Sequence, residues 1–163
     1  MPTITEKEVL DRIDRRILEH LQRDGRLSNQ ELAERVSLSA SPCLRRVRAL
    51  ERAGVIRQYA ALLDPLRVGL ELLAYVTVKL EKRGKMPVDQ FTRAVQAWPE
   101  VIACFSMTGD MDYLMRVQVA DLPHYSRFVM DKLLKQPGVI DIKTNFVLER
   151  IKETTALPLE PLA

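Results

Sequence analysis

Between Leu38 and Arg57 stand five arginines (Arg45, Arg46, Arg48, Arg52 and Arg57) against one acid, Glu51. Met1 to Ser37, by contrast, holds seven basic and eight acidic residues. At about 100° per residue, Ser41, Arg45, Arg48 and Arg52 share one helical face, and Leu44, Val47 and Leu50 lie opposite. An arginine fork can clamp a phosphate or the edge of a guanine, and a serine at a helix start can bond a phosphate. A charged stripe is also what a solvated helix face looks like. The use of arginine without lysine, on a helix backed by another short helix, favours DNA.

A second group with chemical potential is Thr108-Gly109-Asp110-Met111-Asp112. Gly109 permits a positive φ that turns backbone N–H groups outward, where they can hold a carboxylate. Asp110 or Asp112 can pair with an ammonium. Taken alone, these residues read rather as a plain hairpin turn with two solvated aspartates.

The remaining candidates for chemistry are few. The two histidines, His20 and His124, have no metal-ligand spacing to a cysteine or to each other, and both read as surface residues. Cys43 reads as a packing residue of its helix. It is too far in sequence and context from Cys104 to suggest a structural disulfide. No phosphate-binding glycine loop and no catalytic constellation is present, so an enzyme is not expected, and neither a metal nor a cofactor is implied.

These residues need a framework, and 163 residues are enough for two small domains. With 47% hydrophobic and 29% charged residues and a net charge of +3, the chain reads as an ordinary globular protein without a polybasic tail. No apolar run reaches membrane-spanning length and the first residues do not resemble a signal peptide, so the expected location is the cytoplasm.

The first part reads as three short helices. Ile13, Ile17, Leu18 and Leu21 line one face of the first, with Gly25 as its stop. Ser28-Asn29-Gln30-Glu31 is a capping box opening the second, with Leu32, Ala33 and Val36 inward. The third opens at Ser41-Pro42, with Ser41 as N-cap, and stops at Gly54. Val55 to Leu63 reads as a short wing or linker strand, and Asp64-Pro65 marks the domain boundary.

From Leu72 the period becomes strand-like, with Ala74, Val76, Val78 and Leu80 alternating with Tyr75, Thr77, Lys79 and Glu81. After a break at Gly84 to Pro87, Val88, Phe91, Val95 and Trp98 predict a helix. Val101 to Met107 and Tyr113 to Val119 predict a hairpin. A helix over Leu122 to Leu134 buries Tyr125, Phe128, Val129 and Leu133. A last strand alternates Ile140, Ile142, Thr144, Phe146 and Leu148. The order is βαββαβ, a ferredoxin-like sheet. Pro99-Glu100-Val101-Ile102 and Pro137-Gly138-Val139-Ile140 echo each other, as two copies of one βαβ unit would. The expected fold class is therefore α+β: a three-helix (winged) helix-turn-helix domain over 1–64, a βαββαβ domain over 65–155, and a tail over 156–163.

Several segments together resemble the leucine-responsive regulator (Lrp/AsnC, "feast/famine") family. They are Leu10 to Leu18, Asp24 to Asn29, Leu38 to Glu51 with Gly54-Val55-Ile56, Thr108 to Leu114, and Gly138-Val139. The resemblance spans nearly all of 9–155. It implies a transcription factor with an N-terminal helix-turn-helix and a C-terminal effector domain, forming dimers that assemble further, often to octamers. Amino acids then bind between dimers. The arginine-bearing helix already gives the expected DNA-contact residues, Ser39, Ser41, Arg45, Arg46, Arg48 and Arg52, in agreement with the helix-turn-helix of the resemblance. The effector-contact residues that the resemblance implies are Met107, Thr108, Gly109, Asp110, Met111 and Asp112. Met107 and Met111, as a flexible apolar lining, suit leucine or methionine. Met111, where an aromatic or small residue is common, and the basic loop Lys82 to Met86 depart from the family's pattern.

The residues agree on assembly. Val101 to Met107 is apolar on both alternating sets, so both faces of that strand call for cover, and a second subunit supplies it economically. The other cover is the chain's own tail or linker. Two rival functions share parts of this description. An RNA-binding ferredoxin-like module would need basic-glycine-aromatic strands, which Tyr113 to Val119 lacks. An enzyme, or an amino-acid-sensing subunit of a metabolic enzyme, would need a catalytic constellation, which the sequence does not offer.

Overall fold

The computed structural model describes residues 10–81 and 86–159. The opening residues, the loop containing Gly84 and the end of the tail lie outside the described residues. Two compact units form: Met1–Leu62 with Lys152–Ala163, and Leu63–Ile151.

In the first unit, helices α1 (Arg12–Arg23), α2 (Asn29–Val36) and α3 (Ala40–Arg52) surround a core of Ile17, Leu18, Leu32, Ala33, Val36, Cys43, Val47 and Leu50. Each of the first two helices begins with a reciprocal cap. Asp11 pairs with Asp14, and Ser28 with Glu31, whose Oε2 accepts the Ser28 N–H at 2.8 Å. The turn between α2 and α3 passes through Ser37 at φ 58°, ψ 46°, and its N–H donates back to Glu34.

Three local expectations are corrected. Helix α3 starts at Ala40, with Ser39 at the N-cap and no side-chain cap bond, so Ser41 and Pro42 sit inside the first turn. Proline is tolerated there because first-turn N–H groups have no acceptor within the helix. The buried stripe is Cys43, Val47 and Leu50, with Leu44 only half-buried. Gly25 is not among the glycines with positive φ; α1 ends instead at Asp24 in extended backbone.

The expected wing is also absent: Val55 to Leu63 forms no strand, since no sheet edge of this unit is available to pair its backbone. Tyr59 ties this segment down, its hydroxyl donating to Glu51 Oε1 at 3.0 Å.

The second unit is a four-stranded antiparallel sheet in the order β2-β3-β1-β4. Its strands are β1 (Leu72–Leu80), β2 (Val101–Ser106), β3 (Tyr113–Val119) and β4 (Val139–Phe146). Helix α4 (Met86–Ala97) and helix α5 (Leu122–Arg127), which runs on as a π-helical turn through Leu133, supply the βαββαβ order. Ala74, Val76, Val78, Met115, Val117 and Val119 are fully buried beneath Phe91, Trp98, Phe128 and Leu133. Trp98 stands edge-on to both Phe91 and Phe128, with centroids 6.3 and 5.4 Å apart.

Pro87 lies inside α4 rather than in a break before it, and Val88 faces solvent. In β4 the alternation slips. A register shift opposite Lys79 and Leu80 leaves Ile140 between the paired Val139 and Asp141, so Ile140 turns outward while Val139 and Ile142 pack inward. Leu148 lies beyond the strand and is exposed.

Candidate DNA interface and effector turn

The amphipathic pattern of α3 decides which arginines are available. Cys43, Val47 and Leu50 anchor one face in the core, and Ser39, Ser41, Arg45, Arg48 and Arg52 are left exposed. Arg46 differs. Its Nη1 donates to Asp11 Oδ2 at 2.7 Å and to Asp14 Oδ1 at 2.8 Å, so this guanidinium ties α3 to the first turn of α1. Asp11 and Asp14 already cap α1, and the N-terminal end of a helix dipole adds to their preference for negative charge. Arg16 Nη2 donates to the Arg35 carbonyl at the end of α2, and Asn29 Nδ2 to the Ala40 carbonyl at the start of α3. These side-chain bonds fix the angle at which α3 is presented.

The Asp14 backbone N–H, together with Arg46, holds the Asp11 carboxyl below its usual range. A depressed folded pKa contributes stability above the unfolded pKa, and that contribution is lost as pH falls through the folded one. Arg46→Ala is therefore expected to lower stability at neutral pH by about 0.2–1 kcal/mol, the range of exposed ion pairs. It should also flatten the acid limb of the stability profile. Thermal unfolding from neutral to acid pH reads both, and an unchanged acid limb would remove Arg46 from this role.

The turn between β2 and β3 is closed by the Met107 N–H donating to the Asp112 carbonyl at 2.8 Å. Gly109 adopts φ 113°, and open space surrounds the position its β-carbon would take. Thr108, Gly109 and Asp110 are exposed, and among the described residues their N–H groups meet no acceptor. Met107 and Met111 are half-buried beside them.

Asp112 is occupied differently. Its Oδ2 accepts the Leu80 N–H at 2.7 Å, and its own N–H donates to the Val78 carbonyl at 3.0 Å, binding the turn to the end of β1. The structure thus gathers all six residues of the expected effector group into one loop, with Asp110 the outward carboxylate and Asp112 the inward one.

Sequence reasoning passed over Glu100, which is only 8% exposed. Burial raises its pKa, but Lys132 Nζ at 2.6 Å, a backbone N–H and His124 outweigh that and hold it below the usual range. His124, expected at the surface, is half-buried 3.7 Å from this carboxylate. The only hint in the sequence is an acid set between a proline and a strand. Its partner Lys132 comes from a distant helix and could not be paired with it from spacing alone.

Cys43 and Cys104 are free thiols, and burial pushes both up in pKa. No metal-binding cluster exists among the described residues, and none of their helices is long and apolar enough to cross a membrane.

Comparison with known proteins places both units. Residues 10–57 match a winged helix-turn-helix DNA-binding domain, and residues 73–157 match the Lrp/AsnC ligand binding domain. The leucine-responsive regulatory protein of Escherichia coli K12 is 44% identical over 151 residues, which cover 93% of this chain and 92% of that one. A crystal structure of a Neisseria meningitidis transcriptional regulator in complex with L-Met superposes with a TM-score of 0.91 at 50% identity. It covers 93% of this chain and 98% of that one. An AsnC family regulator from Agrobacterium tumefaciens gives a TM-score of 0.87 at 39% identity over 92% and 97% of the two chains.

Proposed function

With the chain a member of the Lrp/AsnC family, and so a DNA-binding transcriptional regulator with an amino acid ligand domain rather than an enzyme, we propose how it reads DNA and what it senses. Two α3 helices of a dimer enter adjacent major-groove half-sites. Ser39, Ser41, Arg45, Arg48 and Arg52 contact the duplex, and Arg46 sets the helix in place. The DNA reading rests on the exposed row of Arg45, Arg48 and Arg52 on a helix whose opposite face is buried.

The effector in this reading is an apolar amino acid, leucine or methionine. The N–H groups at Thr108 to Asp110 receive its carboxylate, Asp110 faces its ammonium, and Met107 and Met111 line its side chain. The Neisseria relative bound to L-Met supports methionine. Binding at a subunit junction favours one assembly over another and thereby shifts DNA affinity.

The dimer forms on the sheet face away from the helices. There Phe105, 56% exposed, pairs across the strands with Leu114, Tyr75 is also open, and Ile102 is 52% exposed on the edge strand. Such dimers assemble further, to an octamer, in the cytoplasm where the DNA is. On this reading, residues 1–64 and 65–155 are the functional domains.

The test is selection of genomic DNA fragments by the purified full chain, alone and with leucine, methionine or glutamate, with sedimentation run in parallel. Expected are a retained fragment set, a shift in affinity with leucine or methionine but not glutamate, and a species larger than a monomer. Retention of DNA with no response to any amino acid would overturn the effector and leave the DNA reading standing. A monomer would overturn the two-reader geometry.

A further inference from the structure

Beyond β4 the chain returns to the first unit, and two glutamines mark the ends of the crossing. Gln22, near the end of α1, grips one residue of the C-terminal segment by its backbone. Its Oε1 accepts the Leu157 N–H at 2.6 Å and its Nε2 donates to the Leu157 carbonyl at 3.1 Å. Bonding both the N–H and the C=O of one residue is what a neighbouring strand would do, so an extended segment is held whatever its side chain. The Leu157 side chain is indeed exposed. Pro158 stiffens the next step, and Leu159 packs against the α1–α3 core.

At the other end, Gln118 is a buried amide, 5% exposed. Its Oε1 accepts from Arg150 Nη2 at 3.2 Å, just before the chain leaves the second unit. Its Nε2 donates to the carbonyls of Leu70 and Leu72, where the chain has just entered that unit. One side chain therefore roots both crossings. Between Arg150 and Leu157 there are few residues, and an extended chain covers at most about 3.3–3.6 Å per residue.

We infer that Lys152–Leu159 is a second tether that, with the linker before Leu63, restrains the DNA-binding unit, so that binding to paired half-sites depends on it. With one flexible connection a second reader arrives at low effective concentration. A second, short connection narrows the volume it searches. Gln22 is a positioning residue here, since it lies on α1 and not among the α3 residues that face DNA.

The test compares the full chain with Gln22→Ala, Gln22→Glu (which keeps an acceptor for the Leu157 N–H) and a truncation after Ala156. Hydrogen exchange is expected to show a protected Leu157 amide in the wild type, partly protected in Gln22→Glu and unprotected in Gln22→Ala. Affinity for a two-half-site duplex, selected by the wild type from a random pool, should fall roughly three- to tenfold in Gln22→Ala and in the truncation. Affinity for the isolated half-site should not change. An unprotected Leu157 amide in the wild type overturns the tether. So does an equal loss on both duplexes, or no loss on either. The exchange arm stands independently of the dimeric reading on which the duplex arm rests.

Discussion

Alanine at Arg45 or at Arg48 is expected to weaken binding to a selected operator duplex by about 1–3 kcal/mol each if the guanidinium reads a base edge, with relaxed specificity at one position. If it holds a phosphate instead, affinity falls on all sequences alike and the slope of log K against log salt flattens by about one. Folding should be untouched, because both side chains are exposed and, among the described residues, neither takes part in an ion pair. Arg46→Ala is the internal control. It loosens the helix rather than removing a contact, so its small loss should appear in stability and leave the salt slope alone. Fluorescence anisotropy on operator and scrambled duplexes at several salt concentrations separates the cases. Unchanged binding by both Arg45→Ala and Arg48→Ala would falsify the assignment of α3 as the reading helix.

The second large effect belongs to the turn. Asp112→Ala removes the acceptor of the Leu80 N–H, and leaving a buried donor unmade costs about 1–3 kcal/mol. Asp112→Asn keeps an acceptor and should recover most of that stability. Gly109→Val meets no neighbouring atom, yet it forces a β-branched residue into φ 113°, a strain of about 1–3 kcal/mol that the exposed loop relieves by shifting. Amino acid affinity should then drop by about tenfold or more, since about 1.4 kcal/mol of that strain already amounts to a factor of ten. Asp110→Ala should leave stability unchanged and still weaken binding, because its carboxylate is the outward one. Denaturant unfolding and isothermal titration with leucine and methionine, run on the same four variants, read the two effects separately. Wild-type affinity in both Gly109→Val and Asp110→Ala would reduce the loop to a hairpin turn.

Much of this was readable from local pattern. The alternation of β1 names its buried residues, because a strand's side chains alternate by geometry alone. The capping box at Ser28 and Glu31 marks the start of α2 because both bonds lie within one turn. The stripe of Tyr125, Phe128, Val129 and Leu133 holds even though the helix loosens into a π-turn beneath it. Sequence also placed the arginines on one helix and the six candidate effector residues in one loop, since neighbours on a helix or in a turn are neighbours in the chain.

What the sequence could not decide are the jobs that depend on residues far apart in it. Arg46 sits between Arg45 and Arg48 and is the same residue type. Only the packing of α3 against α1 delivers it to Asp11 and Asp14. Asp112 looks like Asp110 until β1 arrives to offer the Leu80 N–H. Ile140 turns outward because of a register shift with β1, which an alternating pattern read on one strand does not contain. The segment from Ala156 onward reads as a tail until Gln22 takes hold of the Leu157 backbone. A helix, a cap or a turn is closed by hydrogen bonds over a few residues, so its cause lies in the adjacent sequence. A charge pair or a strand register is closed across a distance that only the folded chain spans, and those contacts divide residues of one type between structure and function.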